Sequence, residues 1–246
     1  MQKITSRTNP TIKAAKKLLQ KKYRKSSYLI EGWHLVEEAL QSGAEILQIF
    51  VLEDMAERLA DFSNVIVVTP EILKDLSDSP SPQGIVAEVA FSEKSLPDTL
   101  SGRYLFLEDV QDPGNVGTII RTADAAGFDG VFLSDKTADI YNQKTLRSMQ
   151  GSHFHLPIWR NRTSDTIALL KASAVPILAT TLSKDSIDYR QLPTFDSFAL
   201  VMGNEGNGIS ENMLEEADKL VHITMPGQAE SLNVAVAAGI LIFSLI

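Results

Sequence analysis

The sequence predicts an α/β protein made of two successive α/β units. Three observations carry this prediction. Short, uniformly apolar runs alternate with helix-period segments along the chain. One stretch without periodicity, "SEKSLPDTLSG" from Ser92 to Gly102, interrupts the series and carries proline, glycine and serine. Beyond it the apolar runs lack polar alternation, as expected of parallel strands covered by helices on both faces. The expected layout is therefore an α/β domain over 1–91, a linker over 92–102 and a second α/β domain over 103–246. A chain of 246 residues is long enough for two small domains or one large one.

In the first unit, "NPTIKAAKKLLQKK" predicts a helix. From about Thr11 it would turn Ile12, Ala15, Leu18 and Leu19 inward and leave Lys13, Lys16, Lys17 and Lys21 outside. "YLIEG" predicts a strand, and "WHLVEEALQSG" a helix that ends at Gly43. "ILQIFVL" and "NVIVVT" follow as strands. "PEILKDLSD" opens a helix on proline, and "GIVAEVAF" closes the unit as a strand. In the second unit the strands are "YLFLED", "GVFLS", "VPILATT", "SFALVMG" and "LVHITM", with helical patterns between them. The run Val234–Ile246 is 13 residues, too short for a bilayer span of about 20. It predicts a buried helix, or an end covered by a partner.

Composition narrows the function classes. The chain is 44% apolar and 22% charged, ordinary for a globular protein. It has no cysteine, which excludes disulfides and thiolate chemistry, and its four histidines are too scattered for a metal cluster. His153 and His155, at i, i+2, are expected on one face of a strand as ordinary polar residues beside an active region. No metal and no membrane are expected as partners, and an N-terminus without a signal-like apolar stretch suggests the cytoplasm. The net charge of −8 hides an asymmetry: residues 1–25 hold nine basic and no acidic side chains, so the remainder stands at −17. A solvated helix face is the commoner meaning of such lysines, but with no acidic residue to offset them the pattern leans toward a local phosphate-bearing partner.

Three glycine-bearing loops follow strands: "DPGNVGTIIR", "VMGNEGNGIS" and "ITMPGQAESLNVAVAAGI". Ligands of open α/β sheets bind beyond the carboxyl ends of strands, so these loops are expected to converge. No G-x-G-x-x-G follows a strand and no G-x-x-x-x-G-K-[ST] occurs, which disfavours dinucleotide and P-loop nucleotide enzymes. Within the loops several polar residues stand out. Asn115 precedes a helix and suits an N-cap. Glu205, between glycines, would cap the next helix or orient a cation. Ser231 suits a cap, while Asn233 lies past it, where asparagine is a poor helix former and needs a partner. Arg121 sits in an otherwise small and apolar helix, either snorkelling along its stem or facing a pocket.

These three segments, in this order, resemble the motifs of the SpoU (TrmH) family of RNA ribose methyltransferases, in the SPOUT class. The resemblance spans roughly 103–246, and "SRTNPTIKAAKKLL" with "YLIEGWHLVEEAL" resembles the RNA-substrate-binding α/β domain that many members carry in front. It implies a catalytic domain whose C-terminal segment is threaded into a deep trefoil knot. It implies transfer of a methyl group from S-adenosylmethionine to a ribose 2′-hydroxyl, and a homodimer with the site near the subunit interface. Members often continue with a few charged residues beyond the position of Ile246. Carried over residue by residue, the catalytic set is Asn115, Arg121, Glu205, Ser231 and Asn233. The cofactor cradle is Thr180, Gly203, Ile223, Met225 and Leu232, and Lys13, Lys16, Lys17 and Lys21 are the RNA-binding set. rRNA is favoured over tRNA as substrate. The alternatives are a tRNA 2′-O-methyltransferase or an inactive RNA-binding or ribosome-assembly protein of the same fold. A protonated guanidinium offers donors and no acceptor, so Arg121 suits a phosphate contact or a developing alkoxide better than a base.

Overall fold

The computed structural model describes residues 1–92 and 94–246; Glu93, inside the expected linker, lies outside the described residues. Contacts divide the chain into two units. One gathers the chain from Met1 to the linker together with Asp139–Phe154, and the other gathers Lys94–Ala138 with His155–Ile246.

The first unit is a five-stranded mixed sheet of β1 (Gln2–Ile4), β2 (Ser27–Glu31), β3 (Ile46–Val51), β4 (Val65–Val68) and β5 (Ile85–Ala90), in the order β1-β4-β3-β5-β2. β1, β4 and β3 run parallel, and β5 runs antiparallel to both β3 and β2. Its helices are α1 (Pro10–Lys17), α2 (Trp33–Gln41) and α3 (Pro70–Asp75). Each start has a local cause. Asn9 accepts from the Thr11 amide and Thr69 from the Ile72 amide, each just before a proline whose missing N–H is not needed there. Ile12 and Ala15 are 1% exposed and pack with Leu29, Phe50, Ile66 and Ile72. α1 is shorter than its periodicity suggests. It stops at Lys17, and Lys21 belongs to a following 3-10 turn, Lys21–Tyr23, not to the outer helix face.

Two later helices, Gln143–Met149 and Ser152–His155, begin in the segment that packs with this unit. Arg147 pairs there with Asp78 and lies 3.8 Å from the buried Glu31. The strand expected around His153 and His155 is this short helix instead. The chain changes units at that point, so the two rings part company. His153 Nε2 is 2.9 Å from the Tyr28 hydroxyl in the first unit, whereas His155 Nδ1 is 3.3 Å from Asp124 in the second.

The second unit is a seven-stranded, wholly parallel sheet. Along the chain its elements are β6 (Arg103–Leu107), α4 (Pro113–Ala125) and β7 (Gly130–Leu133). With the two helices above as α5 and α6, they continue as β8 (Ile158–Arg160), α7 (Thr163–Ala172), β9 (Ile177–Thr180), β10 (Ile187–Asp188), β11 (Phe198–Met202), α8 (Glu211–Glu216), β12 (Lys219–His222) and α9 (Val234–Ser244). The strand order is β10-β12-β9-β11-β6-β7-β8. β7 and β11 are buried at every position, which explains their unbroken apolar runs. Phe106, Phe132 and Phe198 are 0% exposed; truncating any of them to alanine would cost about 3–5 kcal/mol.

After β8 the chain crosses to β9 on the far side of β6, and β11 later fills the place between them. The carboxyl ends of β6, β9, β11 and β12 thus lie side by side, and such a reversal of strand order is where ligands settle in open sheets. The C-terminal run is only partly a buried helix. Ala238, Leu241 and Ile242 of α9 are buried, but Val236 is 52% exposed, Phe243 55% and Ile246 48%. Among the described residues, no helix is long and apolar enough to cross a membrane.

Candidate cofactor and active site

A cavity of about 740 Å³ opens at the carboxyl ends of β9, β11 and β12. Its walls are Thr180–Leu182, Met202–Gly208, Val221–Ile223 with Met225, and the chain from Glu230 into α9. Drug-sized and cofactor-sized ligands occupy cavities of about 300–1,000 Å³. Thr180, Gly203, Ile223, Met225 and Leu232 all line it. The Thr180 hydroxyl is held by the Val201 carbonyl at 2.9 Å.

The middle wall is a turn closed by two backbone hydrogen bonds between Asn204 and Gly208, 2.8 and 3.0 Å long. Gly203 is required by this closure. A Cβ on it would stand 2.4 Å from the carbonyl carbon of Gly208 and 2.6 Å from its oxygen, and backbone cannot yield as a side chain can. The Asn204 side chain shapes the same turn. Its Oδ1 accepts from the amides of Gly206 and Asn207 at 2.9 Å, and its Nδ2 donates to the Asp109 carbonyl at 2.8 Å.

A polar seam joins the three glycine loops. Glu205 Oε2 accepts from the Gln111 amide and Oε1 from the Asp112 amide, each at 3.1 Å. Oε1 also accepts from Asn115 Nδ2 at 3.1 Å, and Asn115 Oδ1 accepts from Asn233 Nδ2 at 3.1 Å. Burial acts to raise the Glu205 pKa, but the amides of Gln111, Asp112 and Glu205 itself, with Asn115, outweigh it and hold the carboxyl below its ordinary value. Glu205 is therefore a carboxylate at neutral pH, seated where the amino end of α4 favours negative charge.

Three local assignments from the sequence change. Asp112, not Asn115, caps α4, accepting from the Asn115 amide at 2.9 Å; Asn115 stands inside the first turn, so its side chain is left for Glu205 and Asn233. Glu205 does not cap the helix after it, because Ser210 does, held by the buried carboxylate of Glu108. Asn233 is not past a cap but is the cap of α9, its Oδ1 accepting from Ala235 and Val236 while its amide remains free to reach Asn115. Ser231 is exposed on the cavity wall.

Arg121 lies elsewhere. It shares the exposed stripe of α4 with Thr118 and Ala125, makes no hydrogen bond or ion pair among the described residues, and does not line the cavity of its own chain. α4 packs against α9, the helix with the exposed apolar face.

Sequence reasoning passed over His222, which lines the cavity with Ser186 Oγ 2.9 Å from Nδ1 and Thr224 Oγ1 3.3 Å from Nε2. Asp188 ends that chain. The hydrogen bond from Thr224, with the amide of Arg190, lowers its carboxyl to about 2. In the first unit the four candidate lysines divide. Lys13, Lys17 and Lys21 are exposed without an acidic partner among the described residues, whereas Lys16 lies 3.2 Å from Asp75, which also pairs with Arg7.

Similarity to known proteins identifies the family. The SpoU rRNA Methylase family matches residues 102–243, and the MRM3-like substrate binding domain matches residues 9–87. The chain is 42% identical to the 23S rRNA (guanosine(2553)-2′-O)-methyltransferase RlmP of Bacillus subtilis, over 100% of this chain and 99% of that protein. The crystal structure of an AdoMet-bound rRNA methyltransferase from Sinorhizobium meliloti superposes with a TM-score of 0.90 at 35% identity, covering 99% of this chain and 97% of that one. The SpoU methyltransferase AviRb of Streptomyces viridochromogenes, in its AdoMet complex, gives a TM-score of 0.81 at 27% identity, covering 96% and 97%. With the family matched over most of the chain and a full-length relative at 42% identity, this protein belongs to the SpoU rRNA methylase family.

Proposed function

We propose that the protein transfers a methyl group from S-adenosylmethionine to a ribose 2′-hydroxyl of 23S rRNA. The seam Glu205–Asn115–Asn233 is the observation that carries this reading, because it ties three loops distant in sequence around a cavity of cofactor size. The names of the Bacillus subtilis and Sinorhizobium meliloti relatives supply the substrate class. Residues 103–246 would hold the chemistry and residues 1–91 the RNA. The C-terminal segment around α9 would be threaded as a trefoil knot.

S-adenosylmethionine, when bound, supplies an electrophilic methyl group; the rest is alignment and electrostatics. The tight turn at Gly203 lets backbone approach the cofactor, and Thr180, Ile223, Met225 and Leu232 complete its cradle. Glu205 stays ionised and acts as a strut, fixing the start of α4 and the Asn115 amide. Asn233 fixes the far side of Asn115. Arg121 serves as a fixed positive charge, binding the phosphate beside the target ribose or steadying the oxyanion as the hydroxyl loses its proton. The proton leaves through Ser231, a phosphate oxygen or water.

Arg121 lies outside the cavity of its own chain, so this role requires a second copy. We read the apolar face of α9, with the α4 stripe beside it, as the homodimer surface. Val236→Glu with Phe243→Glu should yield a monomer in sedimentation without methyl transfer; an active monomer would refute the shared site. The function itself is tested by mapping 2′-O-methyl sites in rRNA from a deletion strain against its parent, and by offering that unmodified rRNA to the purified protein with labelled cofactor. Arg121→Ala should abolish transfer and leave cofactor binding by calorimetry within about threefold. A fully active Arg121→Ala would remove it from the mechanism.

A further inference from the structure

We propose that Tyr23 is a stacking platform for one unpaired base of the RNA, with Lys17 and Lys22 receiving the phosphates that flank it. The inference rests on the reading above that the first unit binds RNA, and it specifies how. Tyr23 is 42% exposed at the end of the 3-10 turn that follows α1. The Lys22 ammonium lies 4.9 Å from its ring centroid and that of Lys17 5.7 Å. Its hydroxyl makes no hydrogen bond among the described residues. An aromatic kept for packing would be buried, with its polar tip satisfied. Trp33 stands nearer that alternative in the same unit: it is half-buried, Arg58 covers its ring at 4.3 Å and the indole N–H is held by Met55.

The residue after Tyr23 holds the turn in place. Arg24 is only 6% exposed at its side chain, with Nη2 2.5 Å from Asp139 Oδ2 and Nη1 donating to the Tyr141 carbonyl. A pinned turn displays the ring with little ordering entropy left to lose on binding. The surroundings carry the matching charge. Lys13, Lys17, Lys21, Lys22 and Lys25 have no acidic partner among the described residues, and no acidic residue occurs before Glu31 in the sequence. A base has two aromatic faces, and an aromatic side chain with cations close by accepts it without regard to its identity. Duplex RNA keeps its bases stacked and offers the ring nothing. The recognised feature is therefore an unpaired nucleotide in a loop or single strand.

The test uses the full-length protein and two labelled RNAs, an unstructured 12-mer and a blunt duplex of the same length. Tyr23→Leu should weaken binding of the single strand about tenfold, leave the duplex unchanged, and leave the slope of log affinity against log salt as it was. Tyr23→Phe should restore the single-strand affinity, which separates stacking from folding. Lys17→Gln and Lys22→Gln should each lower that slope by about 0.7. If the lysine variants lower the slope and Tyr23→Leu changes nothing, the platform is wrong while the RNA-binding reading stands. If neither the lysine variants nor Tyr23→Leu alters affinity for either RNA, the RNA binds elsewhere and both readings fall. Equal loss for both RNAs in Tyr23→Leu also overturns stacking.

Discussion

The polar seam of the second unit and the basic surface of the first solve recognition in opposite ways. In the seam every functional atom is assigned. Glu205 takes two backbone amides and one side-chain amide, and the Asn115 carbonyl takes Asn233. In the basic N-terminal segment the cations divide. Lys3, Arg7, Lys16 and Arg24 are neutralised by Glu53, Asp75 and Asp139, while Lys13, Lys17, Lys21, Lys22 and Lys25 have no such partner among the described residues. The seam acts by shape, and its loss should be steep and insensitive to salt. The basic surface acts by field, and its loss should be graded and salt-dependent.

The comparison predicts its largest effect at Glu205. Alanine there strands the amides of Gln111, Asp112 and Asn115 and releases two loops from each other. Misplacing reacting groups by about 1 Å can cost roughly 100-fold, so transfer should fall by about that factor or more, at low and high salt alike. Glu205→Gln keeps one acceptor and should fall between. Single-turnover kinetics in which Glu205→Ala matches the wild type would end the idea of a strut. The next effect belongs to Gly203→Ala. The added methyl meets the Gly208 backbone at 2.4 Å, so the turn must open. Overpacking of this kind costs about 1–3 kcal/mol, and calorimetry should show cofactor affinity reduced about tenfold. Unchanged affinity would mean that the turn does not touch the cofactor.

Smaller effects come from the other side of the comparison. Lys13→Gln should lower the salt slope of single-strand binding by about 0.7, the share of one neutralised phosphate. Lys16→Gln should lower it less, because Asp75 already answers that charge. Equal slopes for the two variants would show that the ion pair opens when RNA arrives.

How far this arrangement was legible in the sequence depends on the range of the interactions involved. The strands β6, β7, β9 and β11 announce themselves because burial at nearly every position demands unbroken apolar runs. β1, β8 and β10 do not, being two or three residues long and only partly buried. The capping of α4 was legible in principle. Pro113 suits the first helical position, which makes Asp112 the cap and frees Asn115, but both residues are good caps and the spacing alone leaves the choice open. α9 is apolar on every side, so no periodicity could separate its buried face from its exposed one. The pairing of Asp75 with Arg7 and Lys16 joins residues 59 to 68 positions apart, and nothing local encodes it. The packing of Asp139–Phe154 with the first unit is likewise a tertiary fact.

That pairing yields the smallest prediction. Hydrogen bonds from Arg7, then from Lys16, lower the Asp75 carboxyl to about 2, although its partial burial opposes this. A carboxyl depressed in the folded state stabilises it fully above the unfolded value of about 3.9, and that contribution is lost as pH falls from about 4 through 2. The pair stands at the surface, with Arg7 60% and Lys16 52% exposed, so its worth is modest and salt-screened. Asp75→Asn should lower the melting temperature at pH 7 by less than about 4 °C, and the difference from the wild type should shrink below pH 4. The same substitution releases Lys16 and Arg7, so it should raise single-strand RNA affinity and steepen its salt slope. Glu205→Gln should do neither, because its carboxylate faces amides and no cation. If Asp75→Asn melts lower yet binds RNA with an unaltered slope, Asp75 is a structural partner only and the basic surface does not extend to α3.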